Sequence, residues 1–89
     1  MNKAFFARVS GRVQGVGFRY ACLVKARSLE ISGWVRNTAD GDVEVWAEGG
    51  DTDALLEWLH EGPPHARVVS VDFSFQKPKG FYKNFLVRF

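Results

Sequence analysis

The residues best suited to chemistry lie in the run Ser10-Gly11-Arg12-Val13-Gln14-Gly15-Val16-Gly17-Phe18-Arg19-Tyr20. A strand-like apolar run leads into it and a helical pattern leads out, with Gly15 and Gly17 bracketing one valine. A glycine-rich turn of this kind directs backbone N–H groups inward. The first N–H groups of the helix that it opens have no partners of their own, so the turn can cradle an anion. Arg19 falls in the first helical turn and adds a permanent positive charge on a planar fork of donors that matches phosphate oxygens. The helix macrodipole disfavours a cation there by roughly a few tenths of a kcal/mol, a penalty that a bound anion reverses. From these residues alone, two readings stand: a phosphoryl-binding cradle, or a plain strand-to-helix connection whose glycines supply unusual φ angles. There is no Gly-Lys-Ser/Thr, so a magnesium-nucleotide loop is not implied, and Tyr20 stands where a dinucleotide fingerprint would need its third glycine.

Asn37 is a further candidate, placed at the end of an expected strand just before an Asp-Gly turn. Its simplest role there is to bond its own backbone. Cys22 falls on an apolar helical stripe and reads as a small core residue. His60 and His65 flank a helix end and a proline-rich loop, without metal-ligand spacing. Glu44 and Glu48 share one strand face, expected to be solvated. No Ser-His-Asp or Cys-His arrangement is evident.

The elements that must position these groups follow from periodicity. Lys3 to Val13 alternates as a strand, with Phe5, Ala7, Val9, Gly11 and Val13 on one side. Phe18, Cys22, Ala26 and Leu29 form one stripe of a helix over 18–29. Ser32-Gly33 is expected to turn the chain into a short strand, Trp34 to Asn37, and Thr38-Ala39-Asp40-Gly41 is a hairpin signal. Asp42 to Glu48 alternates as a half-buried strand. Asp51 or Thr52 caps a second helix, which carries Leu55, Trp58 and Leu59 inward and stops near Glu61, before Gly62-Pro63-Pro64. Val68 to Phe75 reads as a strand with Val69, Val71, Phe73 and Phe75 in register, 76–84 as a polar loop, and Phe85 to Phe89 as a closing strand. The order predicts an α+β, ferredoxin-like split βαβ (βαββαβ) sandwich. Its sheet would be mostly antiparallel with two helices on one face, and a short extra strand would follow at the C-terminus. This fold hosts many functions and specifies none.

Composition sets the bounds. A chain of 89 residues reads as one small domain over 1–89, and its eight Phe and three Trp supply the bulk for a core. A net charge of +2 is too mild to argue nucleic acid by itself, although it suits an anionic substrate. The single cysteine rules out an intramolecular disulfide and disfavours a cysteine-based metal site. Neither a signal peptide nor a membrane span is evident, so the cytoplasm is the expected compartment, and a monomer is the default expectation.

Two stretches carry a resemblance. Gly11-Arg12-Val13-Gln14-Gly15-Val16-Gly17-Phe18-Arg19 resembles the signature of the acylphosphatase family, and Gly33-Trp34-Val35-Arg36-Asn37-Thr38-Ala39-Asp40-Gly41 resembles its second signature. Gly62-Pro63-Pro64-His65-Ala66-Arg67-Val68 is similar to the family's loop after the second helix. The resemblance covers nearly the whole chain and implies the split βαβ fold. It implies metal- and cofactor-free hydrolysis of acyl phosphates to a carboxylate and inorganic phosphate. By the same resemblance Arg19 binds the phosphate, the loop Gln14, Gly15, Val16, Gly17 and Phe18 supplies backbone N–H groups, and Asn37 orients the attacking water. Inorganic phosphate would then bind as product or inhibitor. The chain departs from the family at Glu30, where the first helix usually ends on glycine.

Three other readings are set against this one. A non-catalytic module could bind phosphate or a carboxyl phosphate at the same loop; the presence of both Arg19 and Asn37 favours the enzyme. An RNA-binding module of similar topology would stack bases on its third strand, which here is acidic and would repel phosphates. Acylphosphatase-like domains also begin large carbamoyl-transferring maturation enzymes, from which the chain length argues away.

Overall fold

The computed structural model describes residues 3–89. Seven elements follow in order: β1 (Ala4–Arg12), α1 (Phe18–Ser28), β2 (Ser32–Asn37), β3 (Val43–Glu48), α2 (Thr52–Leu59), β4 (Arg67–Gln76) and β5 (Phe85–Arg88). The strands form one five-stranded sheet in the order β4-β1-β3-β2-β5. All neighbouring pairs are antiparallel except β2 and β5, which run parallel. This is the expected βαββαβ arrangement with its additional strand.

The core lies between the sheet and the two helices. β1 contributes Phe5, Ala7 and Val9; β3 pairs Ala47, Val45 and Val43 against them. Phe18, Cys22 and Ala26 of α1 and Leu55 and Leu59 of α2 close over this surface. Asp51 caps α2, its carboxylate accepting from the Ala54 N–H at 3.1 Å.

Three expectations need correction. The face of β3 bearing Glu44, Trp46 and Glu48 is buried, not solvated: Trp46 is 6% and Glu48 5% exposed. β3 is the middle strand of five, and the segment 77–84 folds across its second face. The Lys79 and Gly80 N–H groups donate to the Glu48 carboxylate at 3.0 and 2.8 Å, and Trp46 Nε1 donates to it at 2.8 Å. Glu44 is covered by ion pairs with Arg8 and Arg36. Second, Gly33 belongs to β2 and does not turn the chain. It sits at φ 144°, and a Cβ there would lie 1.9 Å from the Trp46 carbonyl oxygen, so only glycine lets the two strands meet. Third, α2 ends at Leu59, short of Glu61. In β4, Phe75, Phe73 and Val71 do fall in register with Phe5, Ala7 and Val9. They lie on an edge strand, and Phe73 and Phe75 remain exposed.

The topology also gathers chain ends. β1 and β2 both run antiparallel to β3, and β5 runs parallel to β2, so all three strands finish at the same end of the sheet. Val9, Val43 and Asn37 form one row across it. With strands about 4.8 Å apart, Asn37 lies roughly 10 Å from Val9 along that row.

Candidate active site

At this end of the sheet a cleft of about 360 Å³ opens, lined by Val13, Gly15, Gly17, Phe18, Arg19, Tyr20, Asn37, Val87 and Phe89. Each wall follows from the topology. A register shift between Ser10 and Gly11 bends β1 as it leaves the sheet, and the chain then enters the glycine loop. Gly15 and Gly17 adopt φ 74° and 77°; a Cβ at either would meet open space, so conformation and not crowding selects glycine. Gly17 is the N-cap of α1. It brings no side-chain cap, no acidic residue follows in the first turn, and the earliest bond of this turn runs from the Ala21 N–H to the Gly17 carbonyl at 3.0 Å. The opening N–H groups of α1 are thus left to face the cleft region unpaired by a cap.

Arg19 stands beside these groups. Among the described residues its guanidinium makes neither ion pair nor hydrogen bond; it stacks on the Phe89 ring, with the guanidinium carbon 5.0 Å from the ring centroid. Arg8, by contrast, is fully engaged by Asp40, Asp42 and Glu44 at 2.7 to 3.1 Å. Parallel pairing of Arg36 with Arg88 brings Phe89 alongside Asn37 at the next position.

Asn37 forms the facing wall. Its side chain makes no hydrogen bond to its own turn: its Oδ1 is buried and has no donor within the protein. A buried acceptor of this kind is normally paired, so with no donor in the protein Asn37 Oδ1 is available to a group that enters the cleft. The turn holds itself together by other means. Thr38 N–H donates to the Asp42 carbonyl at 2.9 Å, and the Thr38 hydroxyl donates to Asp40. That hydroxyl bond, with the Arg8 charge, holds the Asp40 carboxyl below its ordinary range.

Gln14, Val16 and Phe18 belong to the loop, yet their side chains serve the scaffold. Gln14 Nε2 donates to two carbonyls of the β2–β3 hairpin, Thr38 at 2.8 Å and Asp42 at 2.9 Å. It therefore ties the glycine loop to the hairpin that carries Asn37. Val16 packs against the core, and Phe18 is 1% exposed beneath Trp58, at 5.6 Å between ring centroids. Only their backbone N–H groups are available to a ligand. Sequence reasoning missed Val87 and Phe89 as cleft walls, because nothing in the closing strand announces that it pairs next to Asn37.

The remaining candidates lie elsewhere. Cys22 is fully buried, and burial pushes its thiol pKa up, away from a reactive thiolate. His60 Nδ1 lies 2.9 Å from the Leu56 carbonyl oxygen, with its ring edge-on to Phe73, and His65 is exposed. Among the described residues, no group of three or more His, Cys, Asp or Glu is arranged to hold a metal ion. No helix there is long and apolar enough to cross a membrane.

Known proteins share both the sequence pattern and the fold of this chain. The acylphosphatase family model matches residues 5–87. An acylphosphatase of Salinibacter ruber is 48% identical, over 98% of this chain and 94% of its own length. The solved structure of an acylphosphatase from Coxiella burnetii superposes with a TM-score of 0.91 at 42% identity, covering 98% of this chain and 93% of that one. That of Bacillus subtilis gives 0.91 at 32% identity over the full length of both.

Proposed function

The chain belongs to the acylphosphatase family, and on that premise we propose that it cleaves acyl phosphates by in-line attack of water, with Arg19 and the loop N–H groups holding the phosphoryl group and Asn37 holding the water. The overall reaction is hydrolysis of the mixed anhydride to a carboxylate and inorganic phosphate. One observation carries the assignment of roles. An uncommitted guanidinium and an uncommitted amide line the same cleft, next to a helix N-terminus with no cap of its own.

The chemistry needs little more. The leaving carboxylate has a pKa of about 4, so it departs as an anion and no general acid is required. Phosphoryl transfer through a loose transition state depends mainly on positioning and charge stabilisation. Arg19 and the N–H groups of residues 15–19 would meet the non-bridging oxygens where charge develops. Asn37 is a neutral donor and acceptor. It can orient a water in line without setting a negative charge beside the phosphate, as a carboxylate base would. A phosphate oxygen of the substrate is then the nearest acceptor for the water's proton. The mechanism as drawn uses no metal and no cofactor. The same reading makes residues 1–89 one catalytic domain, acting as a cytoplasmic monomer with inorganic phosphate as a competitive product.

The test is hydrolysis of acetyl phosphate in the presence of EDTA, with two variants. Arg19→Ala is expected to lose phosphate binding and at least about a thousandfold in kcat/KM, the scale of losing a charged oxyanion contact. Asn37→Ala is expected to lower kcat by about a hundredfold or more while the inhibition constant of inorganic phosphate stays within about threefold. Near-normal turnover by Arg19→Ala, or activity abolished by EDTA, overturns the mechanism. Tight phosphate binding by a wild-type protein without turnover would favour an anion-binding module instead.

A further inference from the structure

Resting on that reading, we infer that the acyl group of the substrate lies along the outer face of α1, in an apolar groove that continues the cleft past Tyr20, and that unbranched apolar acyl chains are the preferred substrates. The groove measures about 450 Å³ and is walled by Tyr20, Val24, Lys25, Trp58, Pro63 and Pro64. Tyr20 lines both concavities, so its side chain is where the cleft and the groove adjoin.

Three features point to an acyl chain. First, with the phosphoryl end of the substrate held by the loop, its acyl end extends away from the loop toward the remaining lining residues of the cleft, Tyr20, Val87 and Phe89 among them. Second, the groove is apolar where the fold does not need it to be. The core stripe of α1 is Phe18, Cys22 and Ala26; Tyr20 and Val24 lie on the solvent side, 71% and 52% exposed. Apolar residues four apart on an outward helix face, next to a catalytic cleft, make a surface that water wets poorly. Trp58 completes it, with one face packed on Phe18 beneath the loop and the rest forming the groove wall. Third, no carboxylate lines the groove, so nothing there repels an anionic substrate. From Tyr20 to Ser28 the groove runs about 12 Å along the helix, long enough for an octanoyl chain.

The experiment compares kcat/KM for acetyl, butanoyl and octanoyl phosphate, below any micelle-forming concentration, and for succinyl phosphate, whose distal carboxylate could pair with Lys25. Partial burial of each methylene is expected to contribute about twofold, so octanoyl phosphate should exceed acetyl phosphate by roughly fiftyfold. Val24→Glu sits on an exposed helix face outside the catalytic cleft. It should leave acetyl phosphate turnover unchanged and reduce the octanoyl advantage to about fivefold or less, whereas Val24→Leu should retain it. A flat chain-length series or an advantage untouched by Val24→Glu overturns the groove assignment, and a preference for succinyl over butanoyl phosphate overturns the preference for apolar chains; each leaves acyl phosphate hydrolysis standing. Failure to split even acetyl phosphate overturns both.

Discussion

Gln14 and Asn37 carry the same amide group, yet the fold engages one and leaves the other free. Gln14 reaches two carbonyls 24 and 28 residues away, while Asn37 keeps a buried Oδ1 without a donor. On the proposed mechanism Gln14 is therefore a positioning residue: it ties the glycine loop to the hairpin that carries Asn37. Removing it should shift that distance, and small misplacements in positioned reactions are expensive in rate. We expect Gln14→Ala to lower kcat about tenfold with little change in phosphate inhibition. Gln14→Glu should be worse at neutral pH, because an ionised carboxylate offers no donor to two carbonyls. Steady-state kinetics alongside thermal melts separate this from simple destabilisation: a loss of Tm with kcat unchanged would make Gln14 merely structural. The residue types around the cleft were legible in the sequence, since glycine spacing and Arg19 mark the loop locally as a candidate anion cradle. The division of labour between the two amides was not, because it depends on carbonyls brought in by the β2–β3 hairpin.

At the scale of the element, α1 shows how a local rule can be broken away from the site. Its C-terminus closes with the Ile31 N–H on the Ala26 carbonyl at 2.9 Å and the Glu30 N–H on the Arg27 carbonyl at 3.1 Å. That paired pattern needs a left-handed residue between helix and strand, and Glu30 fills the position at φ 60°. It is the one non-glycine residue at positive φ among the described residues. The strain is about 1 kcal/mol. Glu30→Gly should relieve it and raise Tm by roughly 4–8 °C, with catalytic constants unchanged because the turn lies at the far end of α1 from Gly17. A melt showing no gain, or a loss, would mean that the greater freedom of glycine in the unfolded chain outweighs the relief. Periodicity located every helix and strand to within about two residues, and the family resemblance marked Glu30 as a departure. It misplaced Gly33, because a glycine required by the close approach of another strand looks the same in sequence as a glycine that turns the chain.

For the whole molecule, the informative surface is the second face of the sheet. Alternation in β3 reads as one buried and one solvated side, which holds for an antiparallel sheet covered on one face only. Here residues 77–84 return across the open face. Tyr82 lies against Trp34, 3.3 Å from hydroxyl to Nε1, and the Lys79 ammonium sits 4.6 Å from the Trp46 ring centroid. A polar loop gives no pattern by which this docking could be foreseen, and the strand it covers shows nothing but its own period. The anchor is Glu48. Burial alone would raise its pKa. The N–H groups of Lys79 and Gly80, the Trp46 indole and the Lys79 charge outweigh that, and the carboxyl titrates below its ordinary value of 4.5. A carboxyl depressed in the folded state adds stability that is fully present above its unfolded pKa and is lost as pH falls through the folded one. The docking of 77–84 should therefore hold at neutral pH and weaken below about pH 4.5. In Glu48→Gln the acceptor oxygen remains but the charge does not. This variant should melt earlier than the parent at pH 7 and converge with it as pH falls toward 3, with Trp46 fluorescence and amide exchange at Lys79 and Gly80 reporting the release of the loop. A stability gap that stays constant from pH 7 to 3 would show that the charge on Glu48 does not hold the loop. Because β5, with Val87, and then Phe89 follow directly after this segment, acid release of 77–84 should also loosen the wall on which Arg19 stacks. Activity on acetyl phosphate should then fall over the same pH range in the parent and show no such step in Glu48→Gln.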